Sequence, residues 1–336
     1  VPAAKPRAAF FSDDPGQIRR VYGDEAQSRI QSLTNLLPGI HGLQALLQPD
    51  AELAQVEFAF STWGMPALGP AQLEQLPKLK AVFYAAGTVR YFAAPLLQRG
   101  IAVVSAWAAN AEPVAEFTLA QILLAGKNFL PASLALRQRG PQAWPATPDC
   151  SGNYGATVAL LGAGMVGRRV IEMLKPFAFK VLVFDPFLGP QDASRLGVEK
   201  VELEEAFARA QVVSNHLADV PATRGLLKAA HFLAMRPQAT FLNTGRGATV
   251  DEAGLWQALG QRPDLCAVLD VSDPEPPIAG SPAYSLPNVF LAPHVAGSLG
   301  NEVQRLSALA IDECEAWLAG KPLRYGVSLD MLEKMA

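Results

Sequence analysis

Three side chains in the second half of the sequence have the types and the setting for acid–base work on a carbonyl. Arg246 lies in "FLNTGRGATVDE", with a glycine on each side; Glu275 lies in "LDVSDPEP" and His294 in "NVFLAPHVAGS". A planar guanidinium can grip a carboxylate and the adjacent keto oxygen, and its charge polarises the carbonyl. An imidazole can give that oxygen a proton as hydride reaches the carbon, or take it back in the reverse direction. A carboxylate paired with the imidazole favours imidazolium and fixes the ring. Together the set suits a 2-oxo acid. Each member also has a plainer reading. Arg246 can be a turn residue, Glu275 a solvated carboxylate with Asp273 as the nearest competitor for its role, and His294 a core histidine. His41, in a Gly-flanked N-terminal loop, and His231, on a surface-like helix, read as structural. His216 stands at a strand end and reads as lining a cofactor cleft. Gly245 and Gly247 read as sparing space for a ligand or freeing the turn.

A glycine-rich turn supplies the partner for such chemistry. "TVALLGAGMVGRRVIEML" places Gly162, Gly164 and Gly167 in G-x-G-x-x-G spacing, after an apolar strand and before a helix. The three glycines serve a tight turn, close approach of backbone to pyrophosphate, and close strand–helix packing. The helix start offers the N–H groups of Met165 and Val166 to phosphate. A second strand, "KVLVFD", ends in Asp185, a carboxylate suited to ribose hydroxyls and repelled by a 2′-phosphate. The pattern predicts NAD rather than NADP.

These residues need strands to deliver them. Apolar runs predict strands over 8–12, 56–62, 80–86, 101–106, 157–161, 180–184, 211–214, 239–243, 266–270 and 288–291. Helical patterns lie between most of them, including 69–79 and 92–100. One long helix is expected from Glu112 to about Arg139, with Pro113 near its start, where proline is tolerated. The Pro- and Gly-rich stretch 140–155 reads as a loop. A last amphipathic helix ends at Gly320. Strands alternating with helices predict parallel sheets covered on both faces. Ligands then sit beyond the carboxyl ends of the strands, where Thr244, Arg246, Asp270 and His294 emerge.

Composition excludes several other classes. The chain has 336 residues, half of them hydrophobic, enough for two domains. Its 28 Lys plus Arg against 31 Asp plus Glu leave a net charge of −3, with no footprint for nucleic acid or an anionic membrane. Cys150, Cys266 and Cys314 are scattered, which fits a reducing compartment and neither a disulfide framework nor a metal site. No secretory signal is visible. The most apolar window, 114–126, contains Glu116 and is too short to span a bilayer. The expectation is a soluble, cytoplasmic protein that binds no nucleic acid, membrane or metal.

Taken together, "LLGAGMVGRRV", "ATRGLLKAAHFLAMRPQATFLNTGRGATVDEAGLWQAL", "LDVSDPEP", "NVFLAPHVAGS" and "NAEPVAEFTLAQIL" resemble the D-isomer-specific 2-hydroxyacid dehydrogenases. That family includes D-lactate, glycerate, glyoxylate/hydroxypyruvate and 3-phosphoglycerate dehydrogenases. The resemblance covers about 80–322. It implies NAD as cofactor, a 2-oxo or 2-hydroxy acid as substrate, and Arg246, Glu275 and His294 as the catalytic set. It further implies cofactor contacts from Gly162, Gly164, Met165, Val166, Gly167, Asp185, His216, Leu217, Ala218, Thr223, Thr244, Gly245, Arg246, Asp270, His294 and Gly297. "YAAGTVR" corresponds to the loop whose backbone N–H groups bind the substrate carboxylate, here at Ala86 and Gly87. Arg246 and His294 would touch substrate too, and Trp63 in "FSTWGMP" stands where pocket walls form.

The implied fold has two Rossmann-like or flavodoxin-like doubly wound parallel-sheet domains. The NAD domain, 108–301, would be inserted into a substrate domain made of 1–107 and 302–336, with hinged closure between them. A homodimer through the NAD domains is also implied. Three departures bear on the substrate. Val89 and Arg90 replace a usual aspartate, Phe117 replaces a usual histidine, and Gly245 stands where alanine or serine is usual. No set of basic residues suits a substrate phosphate. Two alternatives stay open: a phosphite- or formate-type dehydrogenase of the same fold, and a non-catalytic, NAD(H)-sensing, corepressor-like scaffold. Glu275 speaks against the formate branch, which carries glutamine there.

Overall fold

In a computed structural model, residues 5–144 and 150–333 are described. The chain divides into two compact units, Val1–Asn110 with Ser298–Ala336, and Ala111–Gly297. Both are built on parallel sheets, as the alternating pattern predicts.

The first unit holds β1 (Arg7–Phe11), β2 (Asn35–His41), β3 (Phe58–Ser61), β4 (Ala81–Tyr84) and β5 (Ala102–Ser105), in the order β2-β1-β3-β4-β5. The second holds β6 (Thr157–Leu161), β7 (Lys180–Phe184), β8 (Glu199–Lys200), β9 (Val212–Asn215), β10 (Thr240–Asn243), β11 (Cys266–Leu269) and β12 (Val289–Leu291). Their order is β12-β11-β10-β9-β6-β7-β8. From β6 the chain winds outward through β7 and β8, then starts again at β9 and winds the other way. The strand ends flanking this switch open a crevice, because the connections on either side leave in opposite directions.

Burial on both faces explains the short apolar strands. In β6, Val158 and Leu160 join one core layer while Ala159 and Leu161 join the other. In β10, Phe241 faces the layer of Phe207 and Phe232, and Leu242 faces away from it. The first unit repeats the scheme, and the helix Val303–Leu318 returns to it to bury Leu306, Ala310, Ile311 and Cys314.

The structure corrects three expectations. The long helix starts at Trp107, so Pro113 sits in its interior, and it stops at Ala125; a second helix runs Phe129–Arg139. At the break Asn128 adopts φ 50° and Asn153 Nδ2 donates to the Leu123 carbonyl at 3.1 Å. A Cβ at Gly126 would overlap the Asn153 side chain, so the asparagine ends the helix and glycine makes room for it. Second, His41 lies on a strand: β2, "NLLPGIH", was invisible as apolar alternation. Its Pro38 and Gly39 are tolerated because β2 is an edge strand whose register shifts along β1. Third, the two-residue edge strand β8 was not expected. In the stretch 140–155, Gly140–Ala143 forms a 3-10 turn. Residues 145–149 of that predicted loop lie outside the described residues, as do 1–4 and 334–336.

Among the described residues no single helix is long and apolar enough to cross a membrane. Trp107–Ala125 and Phe129–Ala143 meet that test only together, and they bend by 61° at the break. No group of side chains there could hold a metal ion.

Phe241 is 1% exposed and meets Phe232 edge-on at 5.0 Å. Phe241→Ala is expected to cost about 3–5 kcal/mol, read as a lower denaturant midpoint with an unchanged slope.

Candidate active site

The turn after β6 has the form a dinucleotide needs. Gly162 has φ 99°, a left-handed conformation open to glycine at little cost. A Cβ at Gly167 would overlap the Gly162 carbonyl oxygen, so the helix Met165–Leu174 lies directly on the turn. Around Gly164, the N-cap of that helix, a Cβ would meet nothing within 4 Å, and no side chain caps the helix. Unpaired N–H groups therefore face open space at the positive end of a helix dipole, which fits a pyrophosphate. Asp185 follows β7. Its Oδ2 accepts from Ala163 N and its Oδ1 from Phe187 N, both at 2.7 Å. Each oxygen keeps a lone pair for a ribose hydroxyl.

Two buried asparagines hold the Arg246 turn. Asn215 ends β9 and Asn243 ends the adjacent β10. Asn215 Nδ2 donates to Asn243 Oδ1 at 3.0 Å and to Thr249 Oγ1 at 2.8 Å. Asn243 Oδ1 also accepts from Gly245 N, while Asn243 Nδ2 and the Thr249 hydroxyl both donate to the Arg246 carbonyl. The backbone on both sides of the arginine's Cα is thereby fixed. The Arg246 side chain is mostly buried, and burial pulls its pKa below the usual value against the opposing pull of Asp219 and Glu275. Among the described residues, its one side-chain hydrogen bond runs from Nη1 to the Gly245 carbonyl, 2.8 Å. The other donors of the fork remain for a ligand.

The flanking glycines have a different reason from the one expected. Neither has a positive φ. A Cβ at Gly247 would overlap the carbonyl of Ser272, and one at Gly245 would lie 3.1 Å from the Asn215 carbonyl oxygen. At Gly247 the neighbouring main chain excludes any side chain, whereas at Gly245 a Cβ would be tight against it.

His294 and Glu275 meet directly. His294 Nδ1 lies 2.6 Å from Glu275 Oε1, so the proton between them sits on Nδ1 in the neutral ring and Nε2 is left over. The carboxylate that meets His294 is that of Glu275; the Asp273 backbone N–H donates to Glu252 Oε1. His294 has φ 51°, a conformation non-glycine residues avoid. Three hydrogen bonds to one residue maintain it. The Asp270 carbonyl accepts from His294 N, its Oδ1 from Val295 N at 2.8 Å, and its Oδ2 from Ala296 N at 2.9 Å. A cleft of about 280 Å³ borders the pair, walled by Pro276, Pro277, Leu291 and Pro293.

The other candidates fall into two places. His216, Leu217, Ala218 and Thr223 follow β9. His216 is largely buried with Nε2 2.9 Å from Ser214 Oγ, and burial pulls it down to about 4, so it is neutral at ordinary pH. Leu217 N donates to Asn215 Oδ1, and the Thr223 hydroxyl closes the turn onto the Ala218 carbonyl. Thr244 precedes Gly245 at the end of β10, and Gly297 is the last residue of this unit. In the other unit, Trp63 and the Ala86–Gly87 loop lie beyond β3 and β4. Arg20 sits 5.7 Å over the Trp63 ring. Ser105 Oγ donates to the carbonyls of Ala86 and Gly87. In planar trans peptides this turns the N–H groups of Gly87 and Thr88 the opposite way. His231 accepts from Lys228 N through Nδ1, and Cys266 and Cys314 are buried with thiols pushed up to about 12.

Residues 119–296 match the family described as D-isomer specific 2-hydroxyacid dehydrogenase, NAD binding domain. The chain belongs to this family. Its second unit is thus an NAD-binding domain. Glycerate dehydrogenase of Methylorubrum extorquens is 32% identical over 260 residues, 74% of this chain and 79% of that one. D-3-phosphoglycerate dehydrogenase of Mycobacterium bovis is 32% identical over 252 residues, 74% of this chain and 47% of that one. The chain therefore spans about half the length of the phosphoglycerate dehydrogenases it matches. Among solved structures, D-mandelate dehydrogenase of Rhodotorula graminis superposes with a TM-score of 0.80 at 21% identity, covering 96% of this chain and 98% of that one. A phosphoglycerate oxidoreductase from Rhizobium etli gives 0.79 at 24%, covering 96% and 97%. Both share the two-sheet fold.

Two glycines separate packing from ligand space. Gly247→Ala should cost about 1–3 kcal/mol, seen in chemical unfolding. Gly164→Ala should leave unfolding within about 0.5 kcal/mol and weaken NADH binding roughly tenfold or more, measured by fluorescence titration.

Proposed function

We propose that the protein is an NAD-dependent dehydrogenase that interconverts D-2-hydroxy acids and 2-oxo acids. One observation carries this reading. A mostly buried guanidinium with donors to spare, and an imidazole tied to a carboxylate, emerge from the same sheet edge as the NAD turn.

In the reductive direction, Arg246 binds the substrate carboxylate and keto oxygen through its fork. Buried cations seek an anion, and a planar fork holds one in a fixed plane. With the ring entering as imidazolium, His294 Nε2 gives its proton to the keto oxygen and the ring is left neutral with Nδ1–H on Glu275. Glu275 keeps the proton on Nδ1 and holds the ring in plane. Bound NADH supplies the hydride for the carbonyl carbon. In the oxidative direction Nε2 takes the hydroxyl proton. Asp185 engages the ribose hydroxyls of NAD, and the helix start at Met165 and Val166 its phosphates. The first unit is the substrate domain: the short glycine turn at Ala86–Gly87 suits close approach of a carboxylate to backbone, and Trp63 stands in the adjacent strand-end loop.

The protein is also proposed to be a homodimer through its NAD-binding units. The helix Phe129–Arg139, "FLPASLALRQR", buries none of its residues although it is rich in apolar ones, and Phe129 is 51% exposed. A second copy would cover that face. Light scattering should give twice the mass of the chain; a monomer at micromolar concentration would refute the dimer.

Activity is tested with NADH and a panel of 2-oxo acids, including glyoxylate, hydroxypyruvate, pyruvate and phenylpyruvate. At least one should be reduced. His294→Ala should then lower turnover by ~10²-fold or more, with NADH affinity almost unchanged. Arg246→Lys should impair kcat/KM severely, since a point charge cannot replace the fork. NADH binding without turnover of any acid would leave the scaffold alternative standing.

A further inference from the structure

Each member of the catalytic set needs a backbone that stays in place. The Arg246 turn has Asn243 and Thr249 to hold it, and the His294 turn has Asp270. Glu275 sits in "DPEPP", where Pro274, Pro276 and Pro277 have no N–H to give. Burial does not fix the pair either, since the His294 and Glu275 side chains are 49% and 42% exposed. The tie lies two residues earlier, where the Asp273 N–H donates to Glu252 Oε1 at 2.9 Å. Beyond Glu275, the Pro277 carbonyl accepts from the exposed Tyr284 hydroxyl. Glu252 opens the helix Glu252–Gln261, where the dipole favours a carboxylate. It is half-buried; burial raises its pKa, and the Asp273 N–H works against that rise. The start of this helix is fastened in turn to the Arg246 turn. Asp251 caps it through Gly254 N and donates its own N–H to the Leu227 carbonyl. Leu227 N donates to the Thr249 carbonyl, and the Thr249 hydroxyl holds the Arg246 carbonyl.

We propose that Glu252 is a positioning residue for proton transfer: by accepting the Asp273 N–H it holds the Glu275 carboxylate against His294 Nδ1, in register with the Arg246 turn. The proposal rests on the dehydrogenase reading given above. The packing of Gly247 against the Ser272 carbonyl cannot do this alone. A steric contact stops the loop from coming closer, whereas a hydrogen bond stops it from leaving. A hydrogen bond of 2.6 Å between Glu275 and His294 tolerates little drift of the loop that carries the carboxylate. Glu252 thus acts through Glu275 and moves no proton itself.

The test compares Glu252→Ala and Glu252→Gln, each alone and combined with Glu275→Ala, on an acid that the wild type reduces. Glu252→Ala should lower kcat roughly tenfold with NADH affinity unchanged. Glu252→Gln keeps an acceptor oxygen and should stay within about threefold of the wild type. With Glu275→Ala already present, Glu252→Ala should change kcat by less than about twofold, because its effect passes through the missing carboxylate. Full activity in Glu252→Ala, equal losses for alanine and glutamine, or equal losses in both backgrounds would overturn the proposal. Glu252→Ser, which suits a helix start but cannot reach the loop, repeats the test should the alanine variant not fold. A readout without turnover separates this proposal from the dehydrogenase reading. In 15N-histidine-labelled protein, the Nδ1 proton shared with Glu275 should give a downfield resonance that survives in Glu252→Gln and is lost in Glu252→Ala. Its persistence in the alanine variant sinks the positioning role. A wild-type protein that binds NADH and reduces no acid defeats the dehydrogenase reading instead, and the resonance alone then decides whether Glu252 places Glu275.

Discussion

A parallel sheet leaves its strand ends with backbone groups that no neighbouring strand satisfies, and buried groups of that kind need partners. In the NAD-binding unit the partners are side chains placed where a strand stops. Asp185 takes the Ala163 N–H, Asn215 that of Leu217, Asn243 that of Gly245, and Asp270 those of Val295 and Ala296. Each acceptor fixes a turn, and the turns carry the glycine loop, Arg246 and His294. Reactive side chains on loops are only as well placed as the backbone beneath them. Here four short acids and amides, one per strand end, provide that placement.

The same constraint explains how the two long loops lie against each other. The peptide after Ser272 fills the space that a side chain at residue 247 would need, so the loop bearing Glu275 rests on the loop bearing Arg246. Bringing a carboxylate near a mostly buried guanidinium offsets part of the cost of burying the cation. Glu275 can then serve His294 through one oxygen and the local charge balance through its field.

Much of this was legible in the residues. The strands that carry the site were bounded to within a residue or two, because buried parallel strands are short apolar runs between breakers. Arg246, Glu275 and His294 stood out because their types match one chemistry. The supporting residues did not stand out. Asn243 reads as a strand-ending polar residue, and what it holds depends on the next strand, far away in sequence. The signal was present all the same in "VVSN", "TFLN" and "CAVLD": successive strands that each finish in Asn or Asp. β2 escaped because an edge strand tolerates Pro and Gly, which read as breakers. The break at residues 126–128 escaped because the group that ends the helix, Asn153, comes more than twenty residues later.

The arginine, the imidazole, its carboxylate and the dinucleotide turn are all carried on one seven-stranded sheet, whereas Trp63 and the Ala86–Gly87 loop belong to the other. Substitutions in the five-stranded unit therefore leave the strand ends and turns that hold Arg246, Glu275 and His294 as they are. Two of the departures from the usual pattern, Val89 and Arg90, fall in the five-stranded unit.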